Sequence, residues 1–170
     1  ITAGFTKLQA IDGLAAGFGF LLLRRPKWFA LALPICAVVV GLIVVLLNGL
    51  TGGQFWLNVV AANVNEYVIE DTWRIYGQWF QLQGVLIVCG LAYVIWDMVR
   101  AIRARSTQPI TIWSLYFIAG CAMGMLTGKW GAGPAYLIAS IAVSCICAVG
   151  LAARTAVWLM AHSPRLASFS

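Results

Sequence analysis

Four titratable residues lie close together in the sequence and could carry chemistry: Glu66, Glu70, Asp71 and Arg74. Glu66 and Glu70 are one helical turn apart, so they could attract a cation or a basic partner. A solvated helix face, or ion pairs within the group, would explain the same residues without any ligand. We therefore predict no metal site, and catalysis by this group is the less favoured interpretation.

The single histidine, His162, and the five cysteines are the other residues with ligating or nucleophilic chemistry. Haem held by two imidazoles requires two histidines, so this chain could hold it only as a site shared with another subunit. The cysteines all lie in apolar stretches: Cys36, Cys89, Cys121, Cys145 and Cys147. Cysteine packs there as a small hydrophobic side chain. We predict no cofactor and no complete Cys–His or Ser–His–Asp site.

The composition indicates which elements must position these residues. The chain has 170 residues, of which 62% are hydrophobic and 9% are charged, whereas soluble domains carry about 25% charged residues. Such a sequence predicts an all-α integral membrane protein in a lipid bilayer. The net charge of +6 lies beside apolar stretches, where membrane topology and anionic lipids account for it, so we predict no nucleic-acid binding.

Four apolar stretches are long enough to cross a hydrocarbon layer of about 30 Å. They form one membrane domain and comprise residues 28–48, 79–96, 110–127 and 135–153, with the last helix able to continue to residue 160. None of these predicted spans contains an ionisable residue near its centre, and this argues against a proton relay within the chain.

Two further segments have amphipathic patterns. Residues 1–23 carry apolar side chains at helical spacing and predict a helix lying in the membrane interface. A fifth span is the alternative, but it would bury Lys7 or Asp12, each at a cost of about 2.5–3.5 kcal/mol. Residues 54–73 predict a short amphipathic helix on the outer surface, in the first outer loop.

The distribution of basic residues predicts the orientation. Arg74 and Lys129 are the basic residues of the predicted outer segments. The predicted inner segments hold the other nine: Lys7, Arg24, Arg25, Lys27, Arg100, Arg103, Arg105, Arg154 and Arg165. Cytoplasmic segments are enriched in lysine and arginine, so both termini should face the cytoplasm, as in a bacterial inner-membrane protein.

Small residues spaced by four are the clearest packing signal. The third predicted span contains Gly120, Gly124 and Gly128, and the fourth contains Ser140, Ser144, Ala148 and Ala152. Stripes of this kind allow two helix backbones to approach closely. We expect a tight hairpin between these two spans, and the alternative is a groove that receives a helix from another subunit.

Three functional hypotheses follow from these patterns. Small size, amphipathic segments and the lack of a complete site favour a non-catalytic accessory subunit of a larger membrane complex, of the secretion, conjugation or respiratory type. A small oligomeric transporter or channel is the first alternative. A membrane enzyme acting on lipid or quinone, near Glu70 and Asp71, is the second.

Overall fold

The computed structural model describes residues 10–64, 66–129 and 133–162, and over these ranges the chain is helical without a β-strand. The α-helices are α1 (Ala10–Arg24), α2 (Pro26–Leu50), α3 (Gln54–Val59), α4 (Ile69–Ala104), α5 (Ile112–Gly124) and α6 (Ile138–His162). Three short 3₁₀ segments occupy Ala61–Asn63, Met125–Gly128 and Gly133–Leu137.

Three helices are long and apolar enough to cross a membrane: α2, α4 and α6, the last together with the 3₁₀ segment before it. This confirms the predicted all-α fold over the described residues and supports the predicted membrane class. The third predicted span is shorter, because α5 has 13 residues and the 3₁₀ segment after it has 4. The count of four spans therefore stays a prediction.

The core lies between α4, α5 and α6. Phe117 of α5 and Cys147 of α6 are fully enclosed, and Tyr93 of α4 packs with them. Gly90 allows α4 to approach α5, because a Cβ atom there would overlap the ring of Phe117. The pairs Tyr93–Gly150 and Asp97–Arg154 follow one another at the same spacing, so α4 and α6 run parallel, with α5 antiparallel to both.

The outer segment differs from the single helix predicted over residues 54–73, and that prediction is wrong. The helix α3 ends at Val59, and the chain is extended at Val68 before α4 begins at Ile69. The Val68 amide donates a hydrogen bond of 2.9 Å to the Gly128 carbonyl, and Tyr67 pairs with Lys129. These long-range bonds hold the chain extended at a point where the local pattern favoured a helix.

The helix α1 runs antiparallel to α5. Its C-terminal Arg24 donates hydrogen bonds to Gln108 and, at 3.0 Å, to the Ile110 carbonyl. Near its other end Asp12 is buried, with 1% of its surface exposed, and accepts a 2.8 Å bond from the Gly13 amide. Asp12 is therefore enclosed by the protein itself, and the interfacial position of this helix stays a prediction. Lys7 lies outside the described residues.

Candidate functional site at the basic end of the bundle

An aspartate is buried where α4, α5 and α6 meet. Asp97 lies one helical turn after the core residue Tyr93 on α4, and none of its surface is exposed. Both side chains share a helix face because residues four apart lie one above the other. Asp97 therefore continues the buried face of α4 into the basic end of the bundle, which we define by Arg24, Arg100, Arg103, Arg105 and Arg154.

One oxygen of this carboxylate accepts three hydrogen bonds from the start of α5. Asp97 Oδ2 lies 2.9 Å from the Thr111 amide, 2.8 Å from Thr111 Oγ1 and 2.7 Å from Ser114 Oγ. Thr111 is also the N-cap of α5, since its hydroxyl accepts a bond from the Ser114 amide. A carboxylate at a helix N-terminus is further stabilised by the helix dipole.

The other oxygen forms a salt bridge to α6. Arg154 Nη1 lies 2.7 Å from Asp97 Oδ1, and Arg154 Nη2 donates a 2.9 Å bond to the Tyr93 hydroxyl. The guanidinium carbon lies 4.0 Å from the centre of the Tyr93 ring, in a cation–π contact. Gly150 makes room for this ring, because a Cβ atom there would lie 2.7 Å from it.

The Asp97 cluster, comprising Tyr93, Asp97, Thr111, Ser114 and Arg154, connects three helices through a single carboxylate. Oδ2 accepts three of the four hydrogen bonds described here and Oδ1 accepts one, so most of the acceptor capacity of this carboxylate, about four lone-pair positions, is used within the bundle. The carboxylate therefore holds the three helices together, because removing one partner of a buried pair costs about 3–5 kcal/mol of stability.

The sequence patterns missed this cluster by one residue on each helix. The predicted spans ended at residues 96 and 153, so Asp97 and Arg154 were assigned to inner segments. The helices α4 and α6 instead continue to Ala104 and His162, so both residues lie within helices, just beyond the ends of the predicted spans and not near their centres. One signal was available, because Asp97 is a lone acid in a basic stretch, one turn from Tyr93 on a helix.

The predicted small-residue groove is only partly assembled. A Cβ atom on Gly120 would lie 3.1 Å from the Ser140 backbone nitrogen, so α5 and α6 approach closely there. Ser140 and Ser144 are buried, and their hydroxyls donate to the carbonyls of Leu137 and Ser140. Ala148 is half-buried and Ala152 is exposed.

The two remaining glycines of the stripe also lie against α4. A Cβ atom on Gly124 would lie 2.5 Å from Leu137 Cδ2 and 2.5 Å from the Tyr76 hydroxyl. Gly128 faces the first turn of α4 at Thr72. The stripe therefore divides between two neighbours, α6 at Gly120 and α4 at Gly128.

The acidic group at the opposite end is open to solvent. Glu66 and Glu70 are exposed, and Asp71 forms an ion pair of 2.6 Å with Arg74, whose side chain is 63% exposed while that of Asp71 is 46% exposed. In the described part of the chain, no three histidine, cysteine or acidic side chains are grouped to hold a metal ion. His162 is the last residue of α6.

Comparison with known proteins adds no assignment. The chain matches no protein-family model, no curated protein and no solved structure.

Proposed function

We propose that this chain is a non-catalytic structural subunit of a larger membrane complex, of the secretion, conjugation or respiratory type. The observation that carries the proposal is α2, a helix of 25 residues of which none is buried. It is the most apolar of the candidate spans, with a mean hydropathy of 3.0, and it stands outside the core formed by α4, α5 and α6.

The glycines sharpen this argument. Gly90, Gly120, Gly124 and Gly150 each face a close neighbour in the bundle, whereas a Cβ atom on Gly41 of α2 would meet nothing within 4 Å. A glycine on a membrane helix favours close approach of a second helix. Gly41 lies one turn from Val45, of which 71% is exposed, so this face of α2 is available to a partner subunit.

The use of the polar groups supports the same proposal. A transporter or an enzyme needs ionisable groups that remain available in the membrane or in a cleft. Asp97 is instead fully buried and bonded to α5 and α6, so we assign it the role of holding these helices together. A scaffold subunit requires this kind of cohesion and no reactive group.

For the topology we propose four spans with both termini in the cytoplasm of a bacterium. In support, Thr107 of the α4–α5 loop donates a 3.2 Å bond to the Leu23 carbonyl, which gathers two basic segments at one end. Tyr67 and Lys129 meet at the other end. Cysteines at Ser106 and Gln54, in a background without the native cysteines, should be labelled from opposite sides. Labelling from the same side would contradict this topology.

Site-specific photo-crosslinking in native membranes tests the subunit proposal. A photoreactive residue at Val45 of α2 should give one discrete crosslinked protein, and Gly41→Leu should abolish it. The matched control is Val149 of α6, which is 72% exposed and should give only lipid adducts. A chain that purifies alone and homogeneous, with lipid adducts at both positions, would contradict the proposal. Solute flux through vesicles containing this chain alone would favour a channel.

A further inference from the structure

The cleft between α4 and α6 at the basic end has a volume of about 950 Å³ and opens on the outside of the bundle. Its rim carries Arg100 and Arg103 of α4, both exposed and one helical turn apart. We propose that this cleft binds an anionic glycerophospholipid, with its phosphate on the two arginines and an acyl chain along the apolar walls.

The charge in the cleft is only partly compensated. Arg154 also lines it, but its guanidinium is paired with Asp97 at 2.7 Å. Neither Arg100 nor Arg103 forms a salt bridge within the described ranges. Two positive charges therefore face an opening that a phosphate can reach, and guanidinium groups bind phosphate oxygens in a bidentate geometry.

The walls of the cleft argue for a lipid and against free phosphate. Ile95 and Val99 of α4 face Val157 of α6 across it, and a phosphate ion would leave this apolar surface unused. Trp96 and Trp158 also line the cleft, and tryptophan is enriched at the level of lipid headgroups. Because α4 and α6 are both candidate spans, the apolar walls continue toward the hydrocarbon layer.

Basic pockets between membrane helices on the cytoplasmic side are a known arrangement for anionic headgroups. The inference is independent of the proposed subunit function, since the arginines and the walls belong to one chain. It can therefore hold whether or not α2 binds a partner.

Native mass spectrometry of the full chain in mild detergent, with palmitoyl-oleoyl phosphatidylglycerol or phosphatidylcholine added, tests the proposal. We expect tighter binding of phosphatidylglycerol. The double variant R100Q/R103Q should weaken it about fivefold for each arginine removed, and should weaken phosphatidylcholine, whose choline cation offsets the charge of its phosphate, by less. The control R25Q/R105Q removes equal charge from exposed residues outside the cleft and should change binding less than twofold.

A second variant tests the acyl-chain part separately. Ala153 is exposed and lines the cleft, so Ala153→Phe should fill it and weaken both lipids while leaving the arginines in place. If R100Q/R103Q and R25Q/R105Q weaken phosphatidylglycerol binding equally, the effect comes from the overall positive charge and not from a site. That result would overturn the proposal. Displacement of the lipid by millimolar inorganic phosphate, with Ala153→Phe having no effect, would overturn it in favour of a simple anion site.

Discussion

The two ends of the α4–α5–α6 bundle are fastened by different chemistry. At the basic end one carboxylate, Asp97, binds both α5 and α6. At the opposite end separate hydroxyls bind backbone carbonyls, with Tyr67 donating to Met125 at 3.0 Å and Tyr76 donating to Cys121. At the basic end the contacts between three helices depend on one side chain. At the opposite end they depend on several independent, neutral hydrogen bonds.

This difference sets the expected energies. Removing one member of a buried ion pair leaves the other charge uncompensated and costs about 3–5 kcal/mol. A neutral hydrogen bond contributes about 0.5–1.5 kcal/mol. Single substitutions should therefore be severe at the basic end and mild at the opposite end.

The largest effect is expected for Asp97→Ala. It leaves Arg154 without its carboxylate and removes the acceptor for Thr111 and Ser114, so the free energy of unfolding in detergent should fall by about 3–5 kcal/mol. Chemical denaturation followed by circular dichroism measures the change. A loss below about 1 kcal/mol would place Asp97 on a par with the hydroxyls at the other end.

The next effect is steric. Gly150→Ala would place a Cβ atom 2.7 Å from the Tyr93 ring, which forces apart the contact that holds Arg154, and should cost about 1–3 kcal/mol. Gly77→Ala is the matched control on α4, because nothing lies within 4 Å of its Cβ position. The control should be neutral or slightly stabilising, since alanine favours helix over glycine. Equal losses in the two variants would refute the close packing at Gly150.

A smaller effect is expected from Tyr76→Phe at the opposite end. The substitution removes one hydroxyl bond to the Cys121 carbonyl and keeps the ring that packs against Trp79. The free energy of unfolding should fall by about 1 kcal/mol. A loss as large as that of Asp97→Ala would remove the contrast between the two ends.

The smallest effect is expected from Asp71→Asn. Its ion pair with Arg74 is solvent-exposed, and exposed pairs contribute about 0–1 kcal/mol. Stability should change little, and added salt should weaken the wild-type pair further. An enzyme dependent on this acidic group would instead lose activity in the same variant.

The sequence predictions succeeded where the pattern depends on neighbouring residues and failed where the structure depends on residues far apart in the chain. Hydropathy is local, so the apolar runs within α2, α4 and α6 were found. Hydropathy placed the span ends next to Asp97 and Arg154, because a charged residue ends an apolar run. The helices continue past both residues, since the two charges are paired with each other. The extended backbone at Val68 could not be predicted, since it depends on a bond to Gly128, sixty residues further along the chain. The glycine spacing predicted close packing, but spacing alone does not say which helix is the neighbour.

The central claim is that the charged pair at the basic end is a structural connection, and a double-mutant cycle tests it most directly. The free energies of unfolding of Asp97→Ala, Arg154→Ala and the double variant give the coupling between the two side chains. We predict a coupling of about 2–3 kcal/mol, with the double variant less damaged than the sum of the single variants. A coupling below about 0.5 kcal/mol would contradict the claim.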